Sequence, residues 1–357
     1  MMKGVEIVDK IKIIIWGFGA MGSGMARMLL EKKGVEIVGV CDLDPGKIGK
    51  SIFEVLDIDG KDHPEVVIKA GIEEIVSEQA ADIALLATDS FAKVALEKIK
   101  YCLENKLNVI STAEEMAYPQ AQSPELAEDL DQIAKENGVS LLGTGINPGL
   151  IMDLLVIILS GACQEVDHIK ANRVNNLSPF GPAVMEEQGV GLTVEEFNKG
   201  VEDGSIAGHV GFSESINMIA DALGWKLDGP VVESMQPIIS NVYRKAPYAE
   251  VQAGDLAGVE MIGYGLVNGE KKIELIHPQQ IEPEDEAVET GDYIEIKGIP
   301  EINMSIKPEV AGGIGTISIC VNMIPHLINA APGLKTMIDL PVPRAIMGDM
   351  RQVHNKE

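Results

Sequence analysis

Apolar residues follow one rhythm in the first half of the chain and another in the second. Ile11 to Trp16 is nearly continuous isoleucine, interrupted only by Lys12, as in a strand buried on both faces of a parallel sheet. Ala20–Leu30 then has helical spacing, and Val35–Cys41 is strand-like again, so residues 11–42 read as one β-α-β unit. The alternation continues with a strand at Ala81–Thr88, a helix at Phe91–Asn105, a strand at Asn108–Ser111, a helix at Pro124–Asn137 and a strand at Val139–Leu142. This succession predicts an α/β fold, a Rossmann-type, doubly wound parallel sheet.

From about Cys163 the texture changes. Val166–Val174 reads as a strand, Asn175–Pro182 as an ordered loop, and Leu192–Gly204 and Gly211–Leu223 as helices. Met261–Val267 and Lys271–Ile276 flank Asn268-Gly269, the dipeptide of a tight hairpin turn. Tyr293–Lys297 and Ile302–Ile306 add strands. Together they predict an α+β second domain with an open, largely antiparallel sheet, one face of which suits a second copy of itself. The expected boundaries are 1–150 for the dinucleotide domain, 151–308 for the substrate and oligomerisation domain, and 309–357 for a segment returning to the first. That last segment holds a helix from Gly312 to Ile328 and an extended stretch from Thr336 to Arg344. An apolar helix is expected to begin near Leu150.

Composition narrows the partners. A length of 357 residues with 46% hydrophobic residues supports two cores. A net charge of −26 repels phosphate backbones and anionic lipid, and 4% aromatics give little base-stacking surface. Neither nucleic acid nor membrane is therefore an expected partner. The four cysteines are scattered without a C-x-x-C pair, so no metal site is expected. The longest apolar run, Leu150–Leu159, is broken by Asp153 and too short to span a bilayer. Charges at Lys3, Glu6, Asp9 and Lys10 leave no secretory segment at the start, which points to the cytoplasm.

The chemistry should sit at the carboxyl ends of the parallel strands, where ligands collect in such sheets. After the first strand comes Gly17-Phe18-Gly19-Ala20-Met21-Gly22, a G-x-G-x-x-G turn opening a helix, with Asp42 ending the second strand 20 residues beyond Gly22. These residues fit a dinucleotide, with Asp42 accepting from the ribose hydroxyls. Asp42 favours NAD, but Lys47 and Lys50 just beyond it leave NADP open. Thr88 and Asp89 end another strand, and Asn147 lies in the turn Gly143–Asp153, where its amide and the neighbouring backbone suit a nicotinamide carboxamide or the substrate. Glu114 and Glu115 follow the strand that ends at Ser111, and a carboxylate there suits proton transfer. The alternative for both is helix capping or solvent exposure.

The segments GFGAMGSGMAR, ISTAEEMAYP, GTGINPGLIMD, RVNNLSPFGP and APGLKTMIDLPVPRA resemble those of the 2,4-diaminopentanoate dehydrogenase and native amine dehydrogenase family, over most of the chain. The fold relatives of that family include dihydrodipicolinate reductase. The resemblance implies NAD- or NADP-linked oxidative deamination of a diamino acid to a ketone and ammonia, in the setting of ornithine fermentation, by a homodimer or larger homo-oligomer. It also implies a catalytic glutamate on the loop after this strand, Glu114 or Glu115, with Glu114 nearer the strand end. For the substrate's remaining groups, Arg173 is the candidate carboxylate clamp, helped by Asn175, Asn176 and Ser178. His209 is a candidate lining residue. A structural ion pair is the alternative for Arg173, and a helix-start position for His209. Competing readings are a simple-ketone amine dehydrogenase, a meso-diaminopimelate dehydrogenase-like enzyme, and a nucleotide sensor without turnover.

Overall fold

The structure, a computed structural model, describes residues 9–78 and 81–354; Lys3 and Glu6 of the charged start lie outside them. The first of two compact units takes the chain up to Ile146 and again from Gly313. It begins with β1 (Ile11–Trp16), α1 (Ala20–Leu30), β2 (Val35–Cys41), α2 (Ile52–Leu56), β3 (Ile68–Lys69) and α3 (Ile72–Glu78). It continues with β4 (Ile83–Leu86), α4 (Ala92–Glu104), β5 (Asn108–Ser111), α5 (Pro124–Asn137) and β6 (Ser140–Gly143). The second unit, Asn147–Gly312, opens with α6 (Leu154–Ser160), β7 (Glu165–Asn176), α7 (Pro182–Glu187), α8 (Val194–Asp203) and α9 (Phe212–Ala222). Its remaining strands are β8 (Val232–Ile239), β9 (Arg244–Lys245), β10 (Glu250–Val251), β11 (Leu256–Val267), β12 (Glu270–Gln280), β13 (Gly291–Ile299) and β14 (Ile302–Ile306). The chain rejoins the first unit through α10 (Gly312–Ile328), followed by β15 (Gly333–Lys335) and α11 (Arg351–His354).

The first unit is a seven-stranded parallel sheet in the order β15-β6-β5-β4-β1-β2-β3. The isoleucines of β1 are buried because the strand is internal, while Lys12 reaches the surface. The strand order reverses at β1 and β4, which opens a crevice at their carboxyl ends. The register lines those ends up: Cys41, Trp16, Leu86, Ser111 and Gly143 form one row across the sheet. The residues that follow them therefore emerge along a single edge, and that edge carries the first unit's candidate chemistry.

The second unit is built on a six-stranded mixed sheet in the order β14-β13-β7-β12-β11-β8. All its pairings are antiparallel except β7 with β12. The Asn268-Gly269 turn has both residues at positive φ, +54° and +78°, as the twist of a two-residue hairpin demands. α9 packs on β11 and β12. Along β7 and β12 every second residue is buried, so one face of the sheet is covered and the other half-exposed.

Four sequence expectations need correction. Asn175 and Asn176 belong to β7 and not to a loop, because β7 pairs alongside β12 as far as Gln280. The apolar helix begins at Leu154 and not near Leu150: the buried Asp153 carboxylate caps it, accepting from Leu154 N at 2.6 Å, and also ties down Gly149 N at 2.7 Å. The stretch after Pro332 contributes β15, an edge strand of three residues. β8 was not among the predicted strands, and Pro237 within it is tolerated since β8 is an edge. Among the described residues no helix is long and apolar enough to cross a membrane, and no group of three His, Cys, Asp or Glu could hold a metal ion.

Candidate active site

The glycine turn has the features a dinucleotide requires. A Cβ on Gly17 would lie 2.5 Å from Ala87 O, and one on Gly22 would lie 1.8 Å from Gly17 O, so neither position admits a side chain. Gly19 instead faces open space. α1 starts there with no side-chain cap and no acidic residue in its first turn, which leaves its first N–H groups, from Ala20 onward through Met21, to an anion. Asp42 braces the turn: Oδ2 accepts from Phe18 N at 2.6 Å, and Oδ1 accepts from Asp44 N at 2.8 Å. Lys47 Nζ stands 3.8 Å from Asp42 and 3.4 Å from Asp44, whereas Lys50 turns to Glu54 at 3.9 Å. Thr144, at the end of β6, has a buried hydroxyl oxygen without a hydrogen-bond partner, a group that a carboxamide could satisfy. The residues present fit a pyridine nucleotide.

Thr88 and Asp89 are joined to each other and to α4: Lys98 Nζ donates to Asp89 Oδ2 at 2.5 Å and to Thr88 Oγ1 at 3.0 Å.

Beyond β5 the chain makes a short 3-10 turn, Glu114–Ala117. Both glutamates are half-buried in it, but their surroundings differ. Glu115 Oε2 accepts from Ala92 N at 2.8 Å, satisfying an orphan donor at the start of α4. Glu115 is therefore committed to a cap, and Glu114 stands one residue nearer the strand end. Gly143 fixes where this turn lies: a Cβ there would sit 2.1 Å from the Met116 carbonyl group.

The second unit gathers a buried polar patch on the covered face of its sheet. Arg173 is 2% exposed and forms an ion pair with the fully buried Asp292. Arg173 Nη2 also donates to Val310 O at 2.6 Å, and Val310 N donates to Asp292 Oδ2 at 2.8 Å, so the pair grips both polar groups of that residue. This geometry is that of a structural ion pair, and the carboxylate-clamp reading draws no support from it. Burial raises the Asp292 carboxyl against the pull of Arg173, and the guanidinium and the Val310 N–H keep it an acceptor. His277 Nδ1 donates to Arg173 O at 2.6 Å, and its ring meets His209 edge-on with centroids 4.9 Å apart. Asn147 Nδ2 donates to His209 Nε2 at 3.0 Å, which places Asn147 against an imidazole rather than leaving it free for a cofactor. Burial, with Arg173 nearby, pushes the His209 pKa down to about 4 and that of His277 well below its usual value, so both rings are neutral near pH 7. Ser178 is tied into a loop, its hydroxyl accepting from Glu282 N at 2.8 Å and its N–H donating to Asn176 Oδ1 at 2.8 Å.

Sequence reasoning missed His277, Asp292, Gln279 and Thr144. A signal existed for two of them. Inward positions of β12 change from Ile273 and Leu275 to His277 and Gln279, and those of β7 change from Ile169 and Ala171 to Arg173 and Asn175. Recognising that the two changes meet requires the β7–β12 register.

A parallel sheet with an uncapped glycine turn at its switch point, and a carboxylate at the same edge, defines a pyridine-nucleotide-dependent dehydrogenase. Residues 150–356 match the model of the 2,4-diaminopentanoate dehydrogenase C-terminal domain, and residues 11–137 that of the dihydrodipicolinate reductase N-terminus. The chain is 62% identical to the 2,4-diaminopentanoate dehydrogenase of Acetoanaerobium sticklandii, over 98% of this chain and 99% of that one. It is 24% identical to an amine dehydrogenase of Streptomyces virginiae over 94% of this chain and 98% of that one. The structure of an amine dehydrogenase from Mycobacterium smegmatis superposes with a TM-score of 0.84 at 27% identity, covering 95% of this chain and 98% of that one. The chain belongs to the 2,4-diaminopentanoate dehydrogenase family, oxidoreductases acting on amines.

Proposed function

We propose that this protein oxidatively deaminates 2,4-diaminopentanoate at C4, giving 2-amino-4-oxopentanoate, ammonium, reduced cofactor and a proton, with water supplying the ketone oxygen. A pyridine nucleotide held at the glycine turn would supply the hydride acceptor. Glu114 acts as the base: it takes a proton from the C4 ammonium, so that the nitrogen lone pair can assist departure of the hydride from carbon. Once that proton has passed to solvent, the same carboxylate takes a proton from the water that attacks the iminium, and returns it to the nitrogen as ammonia leaves. In the reverse direction Glu114 holds the iminium by charge. The observation that carries this assignment is Glu115's hydrogen bond to Ala92 N, which commits that carboxylate to capping α4. NAD is the preferred acceptor because Asp42 opposes a 2′-phosphate, and Lys47 beside it admits NADP. A homodimer forms through the half-exposed face of the second sheet, where Ile262, Tyr264, Ile276 and Tyr293 lie.

The test is turnover of 2,4-diaminopentanoate with NAD or NADP, followed by reduced-cofactor absorbance and ammonia release, in wild type, Glu114→Gln and Glu115→Gln. One ammonia per reduced cofactor is expected, with kcat lowered about 10²–10⁴-fold in Glu114→Gln and far less in Glu115→Gln. Activity confined to meso-diaminopimelate or simple amines would replace the substrate. A silent wild type that still binds cofactor would make it a sensor.

A further inference from the structure

The segment that returns to the first unit encloses a recess of its own, about 520 Å³ in volume. Small-molecule sites run from about 300 to 1,000 Å³, so it has the size for one. His326 from the last turn of α10, Lys335 from β15, Leu340 and Arg344 from the extended stretch and Val353 from α11 line it. The length of α10 separates it from the glycine turn. Gly313, near the start of that helix, lies beside Met21. His326 comes thirteen residues later, about 20 Å along the axis at about 1.5 Å per residue.

His326 is 5% exposed, and its Nε2 is buried without a hydrogen-bond partner among the described residues. Buried polar atoms are almost always paired, so one left over at the wall of a recess marks a place where a partner belongs. The charges around it select the partner. Lys335 and Arg344 are positive, and among the described residues Arg344 forms no ion pair. Asp339 is the one acidic residue of the lining, and its Oδ2 already accepts from Thr336 N at 2.8 Å and Thr336 Oγ1 at 2.7 Å. The carboxyl end of α10 adds about half a negative charge, which the two cations outweigh. In a chain of net charge −26 a positive lining is a local feature. Burial, with Arg344 nearby, holds the His326 imidazole below its usual range, so near pH 7 it brings an N–H without a charge.

We infer that this recess binds a small organic oxyanion, a phosphate or a carboxylate. Lys335 and Arg344 meet its charge, His326 Nε2 donates to one of its oxygens, and Leu340 and Val353 cover its apolar body. The site is independent of the proposed deamination, and its test needs no turnover.

Full-length protein is first saturated with NAD, so that the phosphate-binding turn at α1 is occupied. It is then titrated with phenyl phosphate, with benzoate, and with benzyl alcohol as the uncharged counterpart. Calorimetry gives the affinity, and NMR of the histidine Cε1–H groups reports the ring, the His326 resonance being the one that His326→Gln removes. At least one anion should shift that resonance, and benzyl alcohol should not. Binding of phenyl phosphate alone makes the ligand a phosphate, and of benzoate alone a carboxylate. Lys335→Ala and Arg344→Ala should each weaken binding about 3–10-fold, and His326→Phe about tenfold, while His326→Gln, which keeps an N–H donor, stays within a few fold of wild type. No shift at His326 with either anion, equal affinity for benzyl alcohol, or affinity unchanged in both Lys335→Ala and Arg344→Ala would overturn the site. Where circular dichroism shows that His326→Phe does not fold, the lysine and arginine variants, whose side chains reach solvent, still decide it.

Discussion

The two units treat their polar groups by different physical means. In the first, the glycine turn leaves backbone N–H groups at the start of α1 without a side-chain cap. In the second, side chains from distant strands are buried and bonded to one another before any ligand arrives, Arg173 to Asp292 and His277 to the Arg173 carbonyl. A site made of backbone leaves its trace as spacing between glycines. A site made of side chains leaves its trace only in the register of strands about 100 residues apart.

This contrast can be broken most forcefully in the second unit. Replacing Arg173 by Met strands a fully buried carboxylate, and the loss should reach about 3–5 kcal/mol in denaturant unfolding. Adding Asp292→Leu should recover most of it, because the uncompensated charge then goes. If the single variant unfolds as wild type does, the ion pair is not what holds Val310. In the first unit the corresponding lesion is steric. Gly143→Ala drives a methyl into the Met116 carbonyl group and shifts the turn that carries Glu114. Here kcat should fall about tenfold or more while cofactor affinity, measured by fluorescence of the reduced form, stays near wild type. A fall in cofactor affinity with kcat preserved would contradict that role for the turn.

How much was legible follows the same division. β5 and α5 have the predicted bounds because each has an unambiguous pattern and stop signals, such as Pro124 at the start of α5 and Gly138 at φ +71° beyond its end. The glycine turn and Asp42 were legible because their chemistry lies within one β-α-β unit. Glu114 and Glu115 were visible as a pair, but the difference between them needed Ala92, more than 20 residues earlier in the chain. Arg173 looked like a clamp because Asp292, its partner 119 residues away, gave no sign of pairing with it. His209 was found without His277 for the same reason.

Two smaller effects sharpen the comparison. His209 and His277 have folded pKa values below the unfolded value of 6.5, so the unfolded chain binds more protons on acidification. Their contribution to stability is present in full above pH 6.5 and is lost as pH falls toward 4. His209→Asn should flatten the acid arm of a melting-temperature profile over that interval and leave the alkaline arm unchanged; an unchanged acid arm would show that the ring is not held neutral. At the cofactor site, Lys47→Ala should lower kcat/KM for NADP severalfold with little change for NAD, since Lys47 is partly exposed and screened. Parallel losses with both cofactors would assign Lys47 to bracing Asp42 rather than to reading the phosphate.

The most direct test of the proposed deamination follows the hydrogen. 2,4-Diaminopentanoate carrying deuterium at C4 or at C2 is oxidised by the wild-type protein, and the reduced cofactor is weighed by mass spectrometry. If deamination takes place at C4, deuterium from C4 enters the cofactor and deuterium from C2 stays in the product. Deuterium arriving from C2 would mean that the substrate lies the other way round, with the amino acid carbon at the reacting position.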